Sequence, residues 1–174
     1  MALLDIIVAP DPRLKRKSEA VTKIDPATAK LMADMLETMY EAPGIGLAAP
    51  QVGVTKRIIV VDAARDNQPR SPLKMANPEI VWASEEKKLH EEGCLSLPEH
   101  FAEVERPRLV RVRYRDENDA VKEIDAEGLL AVAIQHEMDH LDGTLFVDHI
   151  SALRRNMILR KLQKLKKSKA LESA

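Results

Sequence analysis

Several protein classes need features that this chain has little of. Its 174 residues include one cysteine, Cys94, so no internal disulfide can form. That fits a reducing compartment and leaves the thiol for other chemistry. Aromatic residues make up 3% of the chain, which argues against modules that stack nucleic-acid bases. No apolar run approaches the roughly 20 residues that span a bilayer, so no membrane association is expected. The start, MALLDIIVAPDPRLK, lacks the basic head, apolar core and small-residue cleavage site of a signal peptide. The expectation is a cytoplasmic protein. No internal repeat is present, and the length suits one domain, 1–174, with a sizeable core. A net charge of -1 excludes a general polyanion binder. The average conceals a basic run: Arg154, Arg155, Arg160, Lys161, Lys164, Lys166, Lys167 and Lys169 occur with no acid among them.

What is present divides into helices and strands. Asp25-Pro26 reads as a cap followed by proline in the first turn. Ala27, Leu31, Met35 and Met39 then share a helix face, widened by Met32, Leu36 and Tyr40, and Pro43-Gly44 ends the helix. GIGLAAPQVG reads as a loop and RIIVVDA as a buried strand. Two or three short strands are expected within LKMANPEIVWASEEKKLHEEGCLSLP. LVRVRYRD and AVKEIDA alternate apolar and polar residues around a turn, as a hairpin does. GLLAVAIQHEMDHLDG is a second helix closed by Gly143. A basic third helix, about 150–169, has Ile150, Leu153, Met157, Leu162 and Leu165 as its apolar side. Helices among short antiparallel strands indicate an α+β fold.

The second helix carries His136-Glu137-x-x-His140. Residues four apart lie one above the other on a helix, so both imidazoles project the same way. Leu129, Val132 and Ala133 extend that stripe, which marks it as an inward face. Two imidazoles one turn apart can bind one ion at about 2.0–2.1 Å each. Glu137 lies about 100° round the helix from His136, beside the ion and not bound to it. That is where a base acting on metal-activated water belongs. Two core histidines satisfied by hydrogen bonds are the plainer alternative. A catalytic site of this kind has three protein ligands and one open position. Asp148 and His149 downstream, or Cys94 upstream, could provide the third. Cys94 also reads as a nucleophile or as an inert buried thiol. A thiolate with two imidazoles suits Fe²⁺ or Zn²⁺. Spacing alone leaves these alternatives open.

Three segments in order resemble the peptide deformylase family: GIGLAAPQ (44–51), EGCLS (92–96) and QHEMDHLDG (135–143). The opening VAPDPRLK is similar to the family's N-terminal strand and loop, and the basic helix is similar to the C-terminal helix of many bacterial members. The resemblance implies that Cys94, His136 and His140 bind the metal and that Glu137 is the general base and acid. It implies that the Gln51 side chain and the Leu95 N–H stabilise the oxyanion. The backbone of Gly44, Ile45 and Gly46 then pairs with an extended peptide, and Ile45, Gly93, Leu129 and Val132 line a methionine pocket. The implied reaction removes the formyl group from formylmethionine at the N-terminus of nascent polypeptides and releases formate. The implied metal is Fe²⁺, with Zn²⁺ or another divalent ion able to substitute. Phe101 stands where many bacterial members have arginine, which implies an altered preference beyond the first residue. Asp139, off the metal stripe, reads equally as a solvated acid or as one that orients a neighbour. Some members dock on the ribosome through the C-terminal helix, which implies the same for Arg160 to Lys169. A zinc endopeptidase, and a binding protein with a structural metal, are the rival readings. The small size and the cysteine disfavour the first. Having only three ligands disfavours the second.

Overall fold

The computed structural model describes residues 2–65 and 67–173. The first helix, α1 (Pro26–Glu41), begins where the Asp25 carboxylate accepts the Thr28 N–H at 2.8 Å. Proline at the first helical position has no N–H to leave unpaired. The buried face is centred on Met32, Met35 and Met39, while Ala27 is exposed and Leu31 is half-buried. Leu31, Leu36 and Tyr40 of the expected face pack at the margin of the same core, and Ala27, in the first turn, is left in solvent.

Most of GIGLAAPQVG is not irregular. Gly46–Ala48 forms strand β1, and Ala49–Val52 forms a single 3-10 turn. β1 pairs antiparallel with β2 (Ile58–Val61), which explains how so short a stretch is held as a strand. The apolar run of β2 is continuous because both of its faces are covered. Ile58 and Val60 pack with the α1 methionines, and Ile59 and Val61 pack on the opposite side. The next strands are longer than expected: β3 (Leu73–Ala83), β4 (Lys87–Cys94) and β5 (Leu97–Pro107). β6 (Leu109–Arg115) and β7 (Val121–Glu127) form the expected hairpin. Its turn is fixed by the Asp116 carboxylate, which accepts the N–H groups of Asn118 and Ala120.

Two sheets result. One has five strands in the order β1-β2-β3-β6-β7, and the other is the β4–β5 hairpin. Helix α2 (Gly128–Leu141) packs on the larger sheet through Ala131, Ala133, Ile134 and Leu141. Gly143, just past its end, adopts φ +76° as a helix-ending glycine does. Its hydrogen faces the Lys15 carbonyl, so a larger residue would not fit. Helix α3 (Ala152–Ser173) packs through Ile158 and Leu162. Leu153 and Met157, expected on its apolar side, are 72% and 48% exposed. The α3 contact is therefore narrower than the sequence pattern, and it leaves an apolar strip in solvent. The opening segment is not a strand; its first regular element is a 3-10 turn, Pro12–Lys15.

Candidate metal centre and active site

The site lies where α2, the tip of the β4–β5 hairpin and the edge strand β1 meet. His136 and His140 are buried on one face of α2. Cys94 is the last residue of β4, next to the two-residue turn Leu95-Ser96 that leads to β5. The strand register shifts between Gly93 and Cys94, an irregularity that re-aims a side chain. The sulfur of Cys94 lies 3.3 Å from His140 Nε2. The donor atoms of Cys94, His136 and His140 all fall within 4.8 Å of one another. Among the sequence candidates for a third ligand, Cys94 is the one at the histidines. Asp148 instead pairs with Lys15 at 2.5 Å, and His149 with Asp139 at 2.8 Å.

A fully charged frame lies behind the donors. His136 Nδ1 donates to Glu92 Oε1 at 2.9 Å, leaving Nε2 turned toward Cys94 and His140. Arg106 grips the Glu92 carboxylate with Nε and Nη2 at 2.5 and 2.8 Å, and donates from Nη1 to Asp139 at 2.9 Å. Burial pushes the Glu92 carboxyl up, but Arg106 and His136 outweigh it and hold the group at about 2. Glu92 is thus an anion that fixes the ring orientation and tautomer of His136. Neither Glu92 nor Arg106 stood out in the sequence. The inward phase of β5 could have revealed Arg106, since Ala102, Val104 and Arg106 alternate with exposed Glu103 and Glu105. Asp139 orients a neighbour, as one of its two readings held.

Glu137 is 5% exposed, and its Oε1 has no hydrogen-bond partner among the described residues. Burial pushes its carboxyl up, His136 and Arg106 oppose the rise, Glu92 and Asp139 add to it, and the group sits at about 7. Its other oxygen lies 3.9 Å from His136 Nε2. A Cβ built on Gly46 would fall 2.5 Å from that oxygen, so the glycine makes room for the base. The Gln51 amide has a fixed orientation. Its Oε1 accepts the Ala48 N–H at 2.9 Å, and Nε2 faces Ser96 Oγ at 3.0 Å and the Cys94 sulfur at 3.6 Å. The Leu95 N–H donates to no described residue.

One cleft of about 570 Å³ gathers Gly44, Ile45, Gly46, Gln51, Gly93, Cys94, Leu95, Phe101, His136 and Glu137. Phe101 is 57% exposed at its rim, and its ring comes within 2.5 Å of where a Cβ on Gly93 would stand. Leu129 and Val132 are not in this cleft. They line a second cavity of about 420 Å³ with His90 and Arg106, nearer the start of α2.

The donor set fits a metal ion. Three ligand atoms of the right kinds converge, the far nitrogen of one imidazole is held by a carboxylate, and a carboxylic acid with a free oxygen stands beside them. Among the described residues, no helix is long and apolar enough to cross a membrane.

The family described as polypeptide deformylase matches residues 3–156. A peptide deformylase of Phenylobacterium zucineum is 54% identical over 164 residues, covering 94% of this chain and 97% of that one. A crystal structure of peptide deformylase from Ehrlichia chaffeensis superposes with a TM-score of 0.93 at 39% identity, covering 97% of this chain and 99% of that one. Another structure of the Ehrlichia chaffeensis enzyme, in complex with actinonin, superposes with a TM-score of 0.90 at 42% identity over 94% and 98% of the two chains. The chain belongs to the polypeptide deformylase family, the metal-dependent hydrolases that remove the N-formyl group from nascent peptides.

Proposed function

We propose that Cys94, His136 and His140 hold one Fe²⁺ ion, replaceable by Zn²⁺ or another divalent ion, and that Glu137 moves the protons of deformylation. The convergence of these three donors beside a buried glutamic acid with a free oxygen carries the reading. A bound ion supplies positive charge that acidifies water and polarises the formyl oxygen. Glu137 takes the proton of the attacking water and returns one to the leaving amine. Burial raises the Glu137 carboxyl in the metal-free protein, which favours a group that can hold the proton between the two transfers. Gln51 Nε2 and the Leu95 N–H donate to the oxygen of the tetrahedral carbon, each such donor typically contributing about 2.7–4 kcal/mol.

The substrate backbone lies along Gly44, Ile45 and Gly46. β1 is an edge strand, so it has one side open to an added peptide. The methionine side chain is assigned to Ile45 and Gly93 of the cleft and to the separate cavity lined by Leu129 and Val132. Both lie on the His136 side of α2, Val132 one turn before that histidine. Phe101 replaces a cation with apolar surface at the rim and favours apolar residues beyond the first. The chain works as one catalytic unit, 1–174, in the cytoplasm. The exposed cations of α3 from Arg160 to Lys169 dock on ribosomal RNA phosphate, a salt-sensitive contact. Truncation after Leu159 should abolish co-sedimentation with ribosomes at low salt, and unchanged co-sedimentation would refute that contact.

Anaerobic purification, metal analysis and formate release from a formyl-Met tripeptide, all on one preparation, test the centre. Rapid release with about one equivalent of iron is expected. Iron bound without release would overturn the role of Glu137. A preparation that takes up no metal would overturn the ligand set.

A further inference from the structure

We propose that a groove between the N-terminal segment and α3 binds the downstream part of the polypeptide substrate as an extended strand. The inference rests on the deformylase reading and adds a second, distal contact to it. The groove is about 620 Å³ in volume, and Ile6 and Pro98 line both it and the catalytic cleft. Its floor is apolar, with Leu4, Ile6 and Val8 on one side and Leu162 and Leu165 of α3 on the other. Asp5, Asp11, Arg13, Lys166 and Lys169 mix both signs at the rim, with Arg13 paired to Asp11, so the apolar floor contributes more to selection than net charge does.

The backbone points to a polypeptide. The Ile7 N–H donates to the Gln51 carbonyl at 2.7 Å, and the Ala9 N–H to the Ser96 carbonyl at 2.8 Å. The intervening N–H of Val8, and that of Ile6, bond to no described residue. From Ile6 to Ala9 bonded and free N–H groups alternate, so this segment, although not itself paired as a strand, keeps two donors open, while the Val8 carbonyl accepts the Asp11 N–H. An extended peptide satisfies such donors, and its alternate side chains then enter the apolar floor. A nascent chain is longer than the cleft, and the shared wall of Ile6 and Pro98 leads it into the groove.

The test compares kcat/KM for formate release by the metal-loaded enzyme on a formyl-Met tripeptide and on an apolar formyl-Met peptide of about a dozen residues, roughly 40 Å when extended. The long peptide should be better by roughly tenfold, through KM, which is what burying one or two apolar side chains yields. Leu165, 41% exposed, tolerates a charge, and Leu165→Glu should erase the gain while leaving the tripeptide unchanged. Replacing one downstream peptide carbonyl of the long substrate by a methylene group removes an acceptor for the Val8 or Ile6 N–H and should do the same with the protein unaltered. Equal kcat/KM at both lengths, or a gain that survives both changes, overturns the proposal. If the tripeptide is inert, the deformylase reading fails on its own. The groove is then judged by fluorescence anisotropy of the labelled, unformylated long peptide. Binding weakened by Leu165→Glu supports it, and binding equal in both proteins refutes it.

Discussion

Replacing Glu92 with glutamine tests whether the charged frame behind the metal ligands holds the site together. Glu92 is 3% exposed and takes two hydrogen bonds from Arg106 and one from His136. Glutamine keeps the shape, removes the charge and leaves Arg106 with Asp139 as its remaining anion. The carboxyl stands at about 2 against an ordinary 4.5, a difference equivalent to roughly 3 kcal/mol of stability. That agrees with the about 3–5 kcal/mol measured when one partner of a buried pair is removed. The pKa is depressed in the folded state, so this contribution is complete above 4.5 and is lost as pH falls toward 2. The assay is urea unfolding of the metal-free proteins, so that metal binding does not enter the balance. Wild type should exceed Glu92→Gln by roughly 3 kcal/mol at pH 7, and the gap should narrow below about pH 4.5. Metal affinity should fall about 10–100-fold, because the neutral amide no longer fixes the His136 ring as firmly. Equal unfolding midpoints at pH 7, or a gap unchanged between pH 7 and pH 3.5, would refute the reasoning.

Glu137→Ala should retain metal and fold while turnover drops by at least about 10²-fold, measured as formate release with metal analysis on the same sample. It should also unfold at slightly higher urea, since it removes a buried oxygen that has no partner. Gly46→Ala places a methyl group against the Glu137 carboxylate, so kcat should fall with metal content unchanged; full activity would show that the base does not need its present position. Phe101→Arg should leave kcat on a formyl-Met tripeptide with small downstream residues unchanged and weaken the preference for apolar ones. Identical preferences in a panel of formyl peptides would disprove the role of the ring.

The catalytic helix was readable because its signal is local. His136, Glu137 and His140 fall within about one and a half turns, and helical geometry alone puts both imidazoles on one side. Spacing left Cys94 as one of several candidates, because 42 and 46 residues separate it from its histidines and no periodicity reports such distances; the resemblance carried by EGCLS singled it out. The strand order was likewise beyond a local reading. β1 is three residues long, and what makes it a strand is its pairing with β2, so GIGLAAPQVG looked like a loop. On α3 the sequence pattern gave a wide apolar side, and the structure packs only Ile158 and Leu162 fully, because the rest of that side finds no partner element.

The frame behind the ligands was missed for a different reason. Glu92 and Arg106 are charged residues in strands whose other charges point outward, and composition gives them no mark. Their phase does. Glu92 lies in the inward phase of β4, where His90 is half-buried and Glu91 exposed, and the register shift between Gly93 and Cys94 then turns the ligand toward it. Arg106 follows Ala102 and Val104 in the inward phase of β5. A buried carboxylate requires a buried cation to remain charged, so the two positions imply each other once either is placed inside. A metal-binding imidazole needs a partner on its far nitrogen, and an inward acid on the cysteine's own strand is where that partner can be sought. By that argument, strand phase around a metal-binding cysteine carries information about the residues that hold the ligands as well as about the ligand itself.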